Sequence, residues 1–118
     1  KMARTSFKTS TPGKLHEYAA IFSALGDVTR LSIVAKLADG RPQSISKLTE
    51  NSKLTRQAVT KHLRVLEEVG LVHSVRSGRE NLYELDLRPF KDLSEYLEFV
   101  STKWDQALGR LKAFVEES

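Results

Sequence analysis

The spacing of apolar positions changes several times along the chain. Over 14–24, Leu15, Tyr18, Ala19 and Phe22 fall at i, i+3, i+4 and i+7, which lines one face of a helix. Gly26 ends it, and Asp27 suits the N-cap of a second helix over 28–38. Gly40-Arg41-Pro42 closes that element. A short helix over about 46–51, capped by Ser44 or Ser46, follows. Ser52-Lys53-Leu54 has room only for a turn. Thr55 then caps a fourth helix over 56–69, stopped by Gly70. The next two runs, 71–76 and 81–87, are β-rich and enclose Ser77-Gly78-Arg79, which predicts a hairpin. Pro89 suits the first turn of a last helix. There Leu93, Tyr96, Leu97, Val100, Trp104, Leu108, Leu111 and Val115 keep helical spacing for about six turns. Residues 1–13 read as a flexible basic tail, which leaves 14–118 as one domain.

A short helix, a tight turn and a longer helix in succession form the helix-turn-helix order. On the longer helix Val59, Leu63, Leu66 and Gly70 take the inward side. Gln57, Thr60, Lys61 and Arg64 share the opposite face, which has no acid and no large apolar residue. These side chains hydrogen-bond base edges and phosphates: Gln suits adenine, Arg or Lys suits guanine, Thr suits thymine or phosphate. Thr55 and Arg56 sit at the end where a reading helix approaches closest, and where free backbone amides favour a phosphate. An ordinary solvated face would look similar in isolation; the neighbouring short helix and hairpin favour the DNA reading. Arg76, Ser77 and Arg79 place cations at the hairpin tip, within reach of backbone phosphate or a minor groove. A salt bridge from Arg79 to Glu67, Glu68 or Glu80 is the alternative.

Charge sharpens this picture. The chain has 118 residues and a net charge of +4. Segments 1–14 and 53–79 are each strongly basic, 15–52 balances, and 80–118 is acidic. A basic middle suggests an anionic partner. Zero Cys excludes disulfides, thiolate metal sites and thiol nucleophiles. His16, His62 and His73 are scattered with no i, i+4 pair, and Asp105 with Glu98 makes a poor site, so no metal and no cofactor is expected. No Gly-rich phosphate loop, HExxH or G-x-S-x-G is present, which argues against an enzyme. The charge-free stretch at 18–26 is far short of a membrane span, and no secretory signal is visible, so a cytoplasmic protein without a membrane partner is expected.

The segments Ala24-Leu25-Gly26-Asp27-Val28-Thr29-Arg30-Leu31, Leu54-Thr55-Arg56-Gln57-Ala58-Val59-Thr60-Lys61-His62-Leu63-Arg64-Val65-Leu66 and Glu68-Val69-Gly70-Leu71-Val72 resemble motifs of the ArsR-type winged helix-turn-helix repressors. So do Gly78-Arg79-Glu80, Tyr83 and Leu85. Val28 stands where Pro is usual. The resemblance spans residues 15–115. It implies a mostly α fold with a β-hairpin wing, and a dimeric regulator, often a repressor, that binds double-stranded DNA. Without Cys, and with no His after His73, the chain resembles a metal-free branch; the sequence names no small-molecule effector. By matching positions the DNA face is Thr55, Arg56, Gln57, Thr60, Lys61 and Arg64, with wing residues at 76–79. The resemblance also implies dimerisation through long first and last helices. The apolar stripe of Leu97, Val100, Trp104, Leu108 and Leu111 is too long for so small a core, and with Leu15, Tyr18 and Phe22 it calls for a partner. An imperfect palindrome is the expected target. A winged-helix module that binds only protein is the competing class, and steep salt dependence of DNA affinity would separate the two.

Overall fold

The computed structural model describes residues 12–117. The elements run α1 (Pro12–Leu25), α2 (Val28–Leu37), β1 (Gln43–Ser44), α3 (Ile45–Thr49), α4 (Arg56–Glu68), β2 (Val72–Ser77), β3 (Glu80–Leu85) and α5 (Leu87–Glu117). The fold is a winged helix-turn-helix: mostly helical, with a small antiparallel sheet and a long C-terminal helix. The expected tail falls outside the described residues up to position 11. Pro12 and Gly13, assigned to it, lie in the first turn of α1 instead. Proline is tolerated there because a first-turn N–H has no helical partner anyway.

Short oxygen-bearing side chains start three of the helices. Asp27 Oδ2 accepts from the Arg30 amide at 3.0 Å, Ser44 Oγ from Lys47 at 3.1 Å, and Thr55 Oγ1 from Ala58 at 3.0 Å. Each satisfies an amide that the helix geometry leaves orphaned. Of the two candidate caps for α3, Ser44 takes the role, and the helix ends at Thr49. At the other end of α4, Gly70 adopts φ +81°. Its amide bonds the Glu67 carbonyl at 2.9 Å and the Leu71 amide bonds that of Leu66 at 3.0 Å. This paired closure turns the chain out of α4 and into the wing.

The core gathers Ile33 and Leu37 of α2, Leu48 of α3, Val59, Leu63 and Leu66 of α4, and Leu71 and Val72 at the wing root, all at most 2% exposed. Tyr18, Ile21 and Ala24 of α1 and Leu93 of α5 close it. The strand order is β1-β3-β2, with Val72 opposite Leu85 and Ser77 opposite Glu80. The wing turn is tighter than expected: only Gly78 and Arg79 separate the strands, and Gly78 takes φ +60°. Glycine at the first position of a two-residue hairpin loop supplies the positive φ that matches the strand twist. Strand β1 was not expected, since two residues cannot show alternation; it forms by pairing Gln43 with Tyr83 and Ser44 with Leu82. Helix α5 begins at Leu87, which puts Pro89 in its first turn as expected and takes Leu87 out of the β run expected over 81–87. It runs 31 residues, stretching the molecule to 66 Å by 31 Å by 24 Å. Among the described residues no single helix is long and apolar enough to cross a membrane.

Candidate nucleic-acid interface

Helix α4 is seated by one face and open on the other. Val59, Leu63 and Leu66 are buried, whereas Gln57, Lys61 and Arg64 are exposed and Thr60 is half-buried. Residues i, i+3, i+4 and i+7 share a face, so the four polar residues form one strip. Thr55, Arg56, Gln57, Thr60, Lys61 and Arg64 line a single shallow groove. No carboxylate lines it. Among the described residues Lys61 and Arg64 form no ion pair with any acid, so both keep their charge available.

Four of the expected contact residues already bond within the protein. Thr55 spends its oxygen as the N-cap of α4. The Thr60 hydroxyl donates to the Arg56 carbonyl at 2.7 Å, which leaves its methyl to face a neighbour. Arg56 Nη1 donates to Ser46 Oγ, so the guanidinium lies across from α4 to α3. There it borders a second recess of about 240 Å³ between α3 and the wing. Arg79, Ser44, Ser46, Asn81 and Tyr83 border the same recess, together with the carboxylate of Glu80. The salt bridge considered for Arg79 does not form among the described residues. Arg76 Nε donates to the Gly78 carbonyl at 3.1 Å, bracing the tip, and Ser77 is exposed. Ser44, Ser46, Asn81 and Tyr83 escape a reading of the sequence as interface residues. They reach the recess only because β3 folds back beside β1.

A family model described as a helix-turn-helix domain matches residues 25–75. The HTH-type transcriptional regulator YuzN of Bacillus subtilis is 40% identical over 80 residues, covering 63% of this chain and 87% of that protein. An ArsR-like transcriptional regulator from Rhodococcus sp. RHA1 is 36% identical and superposes with a TM-score of 0.75, over 86% of this chain and 95% of its own. The chain belongs to the ArsR family of winged helix-turn-helix regulators. A homodimeric winged helix-turn-helix DNA-binding domain from Mycobacterium bovis shares the fold at 20% identity, with a TM-score of 0.62 over 86% of this chain and 90% of its own. The protein is therefore a DNA-binding transcriptional regulator.

The remaining surface of this ArsR-family regulator carries the long stripe. Leu97, Trp104, Leu108 and Leu111 are each at least half exposed, as are Phe114 and Val115, while Leu15 and Phe22 are 40% and 38% exposed. Val100 is half-buried. Tyr18 departs from the expectation. It is 3% exposed and stacks on Tyr96 at 4.7 Å between ring centroids, so it belongs to the core that holds α1 on α5. The histidines are spread apart: His16 is exposed, His62 Nδ1 lies 3.3 Å from Arg30 Nη1, and His73 Nε2 lies 2.8 Å from Glu84 Oε2. Among the described residues no group of three His, Cys, Asp or Glu side chains converges as metal ligands would.

Two carboxyls have depressed pKa values. Asp86 is lowered to about 2, chiefly by side-chain hydrogen bonds from Arg88, the shorter at 2.6 Å. Asp27 is lowered by the Arg30 amide that it caps, with the Arg30 charge adding to the effect. Both hold the chain where it turns, at α1–α2 and at β3–α5.

Proposed function

We propose that this regulator is a homodimeric repressor that reads an imperfect palindrome through α4. Gln57, Thr60, Lys61 and Arg64 contact base edges in the major groove. Thr55 and Arg56 hold the helix end against a phosphate, and Arg76, Ser77 and Arg79 reach the flanking backbone. The observation that carries this reading is the acid-free polar strip on a helix whose opposite face is locked in the core. The recess bordered by Arg56 and Arg79 supports it, because these two cations outnumber the one acid, Glu80, and Ser46, Asn81 and Tyr83 add polar groups suited to a phosphodiester.

Leu15, Phe22, Leu97, Val100, Trp104, Leu108 and Leu111 form the subunit interface, with Tyr18 buttressing it from within. The homodimeric character of the Mycobacterium bovis domain supports the same assembly. A two-fold axis sets two α4 helices in successive major grooves, roughly 34 Å apart. Such a dimer covers its site and obstructs other proteins there, which is the physical basis of repression. No metal is needed for binding.

Selection of bound DNA from random oligonucleotides tests the reading. A palindromic consensus is expected, with affinity that falls steeply as salt rises. Gln57→Ala, Lys61→Ala and Arg64→Ala should each cost about 1–3 kcal/mol and relax preference at one position per half-site. Arg56→Ala should weaken all sequences alike and flatten the salt slope. Parental affinity in all three base-reading variants, at matched salt, would remove the assignment of this face. Weak, salt-insensitive binding with no consensus would point to a protein partner instead.

A further inference from the structure

Arg30 ties three helices together at one point. Its backbone amide donates to Asp27 Oδ2 at 3.0 Å, which starts α2. Its Nε donates to the Ala24 carbonyl in the last turn of α1, where helix carbonyls lack partners of their own. Its Nη1 lies 3.3 Å from Nδ1 of His62 on α4. His62 sits directly beside Lys61 of the exposed strip but is itself half-buried. A guanidinium has five donors and no acceptor. His62 Nδ1 therefore accepts in this contact, which leaves Nε2 as the ring nitrogen that carries the proton.

We propose that Arg30 and His62 are positioning residues that set the angle between α1 and α4, and thereby the spacing of the half-sites that the dimer accepts. The inference rests on the reading of α4 as the DNA-contacting helix and of α1 as part of the subunit interface. In a symmetric dimer any tilt of α4 relative to α1 is applied in both subunits, so it changes the separation of the two reading helices directly. Core packing of Val59, Leu63 and Leu66 seats α4 on the domain and sets its coarse crossing angle. The Arg30 bridge is directional: it joins a fixed carbonyl of α1 to a fixed ring atom of α4. A guanidinium held between two acceptors also resists sliding, because leaving either one gives up a charge-assisted hydrogen bond.

Two measurements test this. In the unaltered protein at pH 8, nitrogen NMR should show His62 with an unprotonated Nδ1 and a protonated Nε2; a protonated Nδ1 overturns the bridge without reference to DNA. The second measurement compares the selected palindrome, the same palindrome with one base pair added or removed at its centre, and a single half-site. H62L, which fills the space but cannot accept, should lose about tenfold on the selected spacing and discriminate poorly between spacings, with single half-site affinity unchanged. H62N, whose amide oxygen takes the place of Nδ1, should restore the discrimination, and Arg30→Ala should behave as H62L does. Retained discrimination in H62L, or an equal loss on the half-site, overturns the proposal while the DNA reading stands. A parent chain that binds no DNA overturns the reading and this role with it.

Discussion

Thr55 illustrates how much a single side chain can carry. Its hydroxyl caps α4 while its position borders the groove proposed for DNA. Thr55→Ala should lower the unfolding free energy by about 1 kcal/mol, and Thr55→Ser should restore it, since serine keeps the oxygen. Urea unfolding of the three proteins checks this. Asp27 and Asp86 make a second residue-scale prediction. Their folded pKa values lie below the unfolded one, so the stability they contribute is present above about pH 4 and is lost as pH falls toward 2. The urea midpoint should drop over that window, and Asp86→Asn should reduce the drop. The caps at Asp27 and Thr55 were legible from residue type and position. The inward turn of Tyr18 was not, because on a helix with apolar residues around much of its circumference only the packed partner, here Tyr96, decides which of them is covered.

For whole elements, the two faces of α4 should separate stability from binding. Leu63→Ala or Leu66→Ala removes a fully packed side chain and should cost about 2–5 kcal/mol. Lys61→Ala and Arg64→Ala remove no core contact and should stay within about 0.5 kcal/mol. Thermal and urea unfolding read both. Two glycines make a sharper contrast under one substitution. Gly70 holds φ +81° at the close of α4, so Gly70→Ala is strained and should destabilise by about 1–2 kcal/mol. Gly109 lies within α5 with open space where a Cβ would go, so Gly109→Ala should stabilise by about 0.5–1 kcal/mol. The helices and the hairpin were visible in the spacing of apolar residues. Strand β1 was not, because a two-residue strand exists only through its pairing with β3.

At the scale of the molecule, α5 extends well past the core, and its apolar stripe stays open along most of its length. If that stripe is the subunit interface, replacing Leu97 and Leu108 by Glu should yield monomers in sedimentation. Affinity for the full palindrome should fall with it, since each half-site is then bound alone. An unchanged dimer mass would exclude the stripe as the interface. Treatment with a chelator should leave DNA affinity intact, whereas stoichiometric zinc in the purified protein would contradict a metal-free regulator.

Local chemistry was enough to determine the order of the helices and the hairpin, the caps at Asp27 and Thr55, and the acid-free strip of α4. Helical periodicity, N-cap preference and the absence of carboxylates at four positions are properties of neighbouring residues. The grouping of Arg56 and Arg79 around one recess with Ser46 and Asn81 was decided by the tertiary structure alone. So was the bridge from Arg30 to His62, across 32 positions of sequence. Contacts of that kind depend on how the hairpin folds back beside α3 and how α2 packs on α4. Those packings follow from burying one shared core, whose geometry no stretch of the chain encodes by itself.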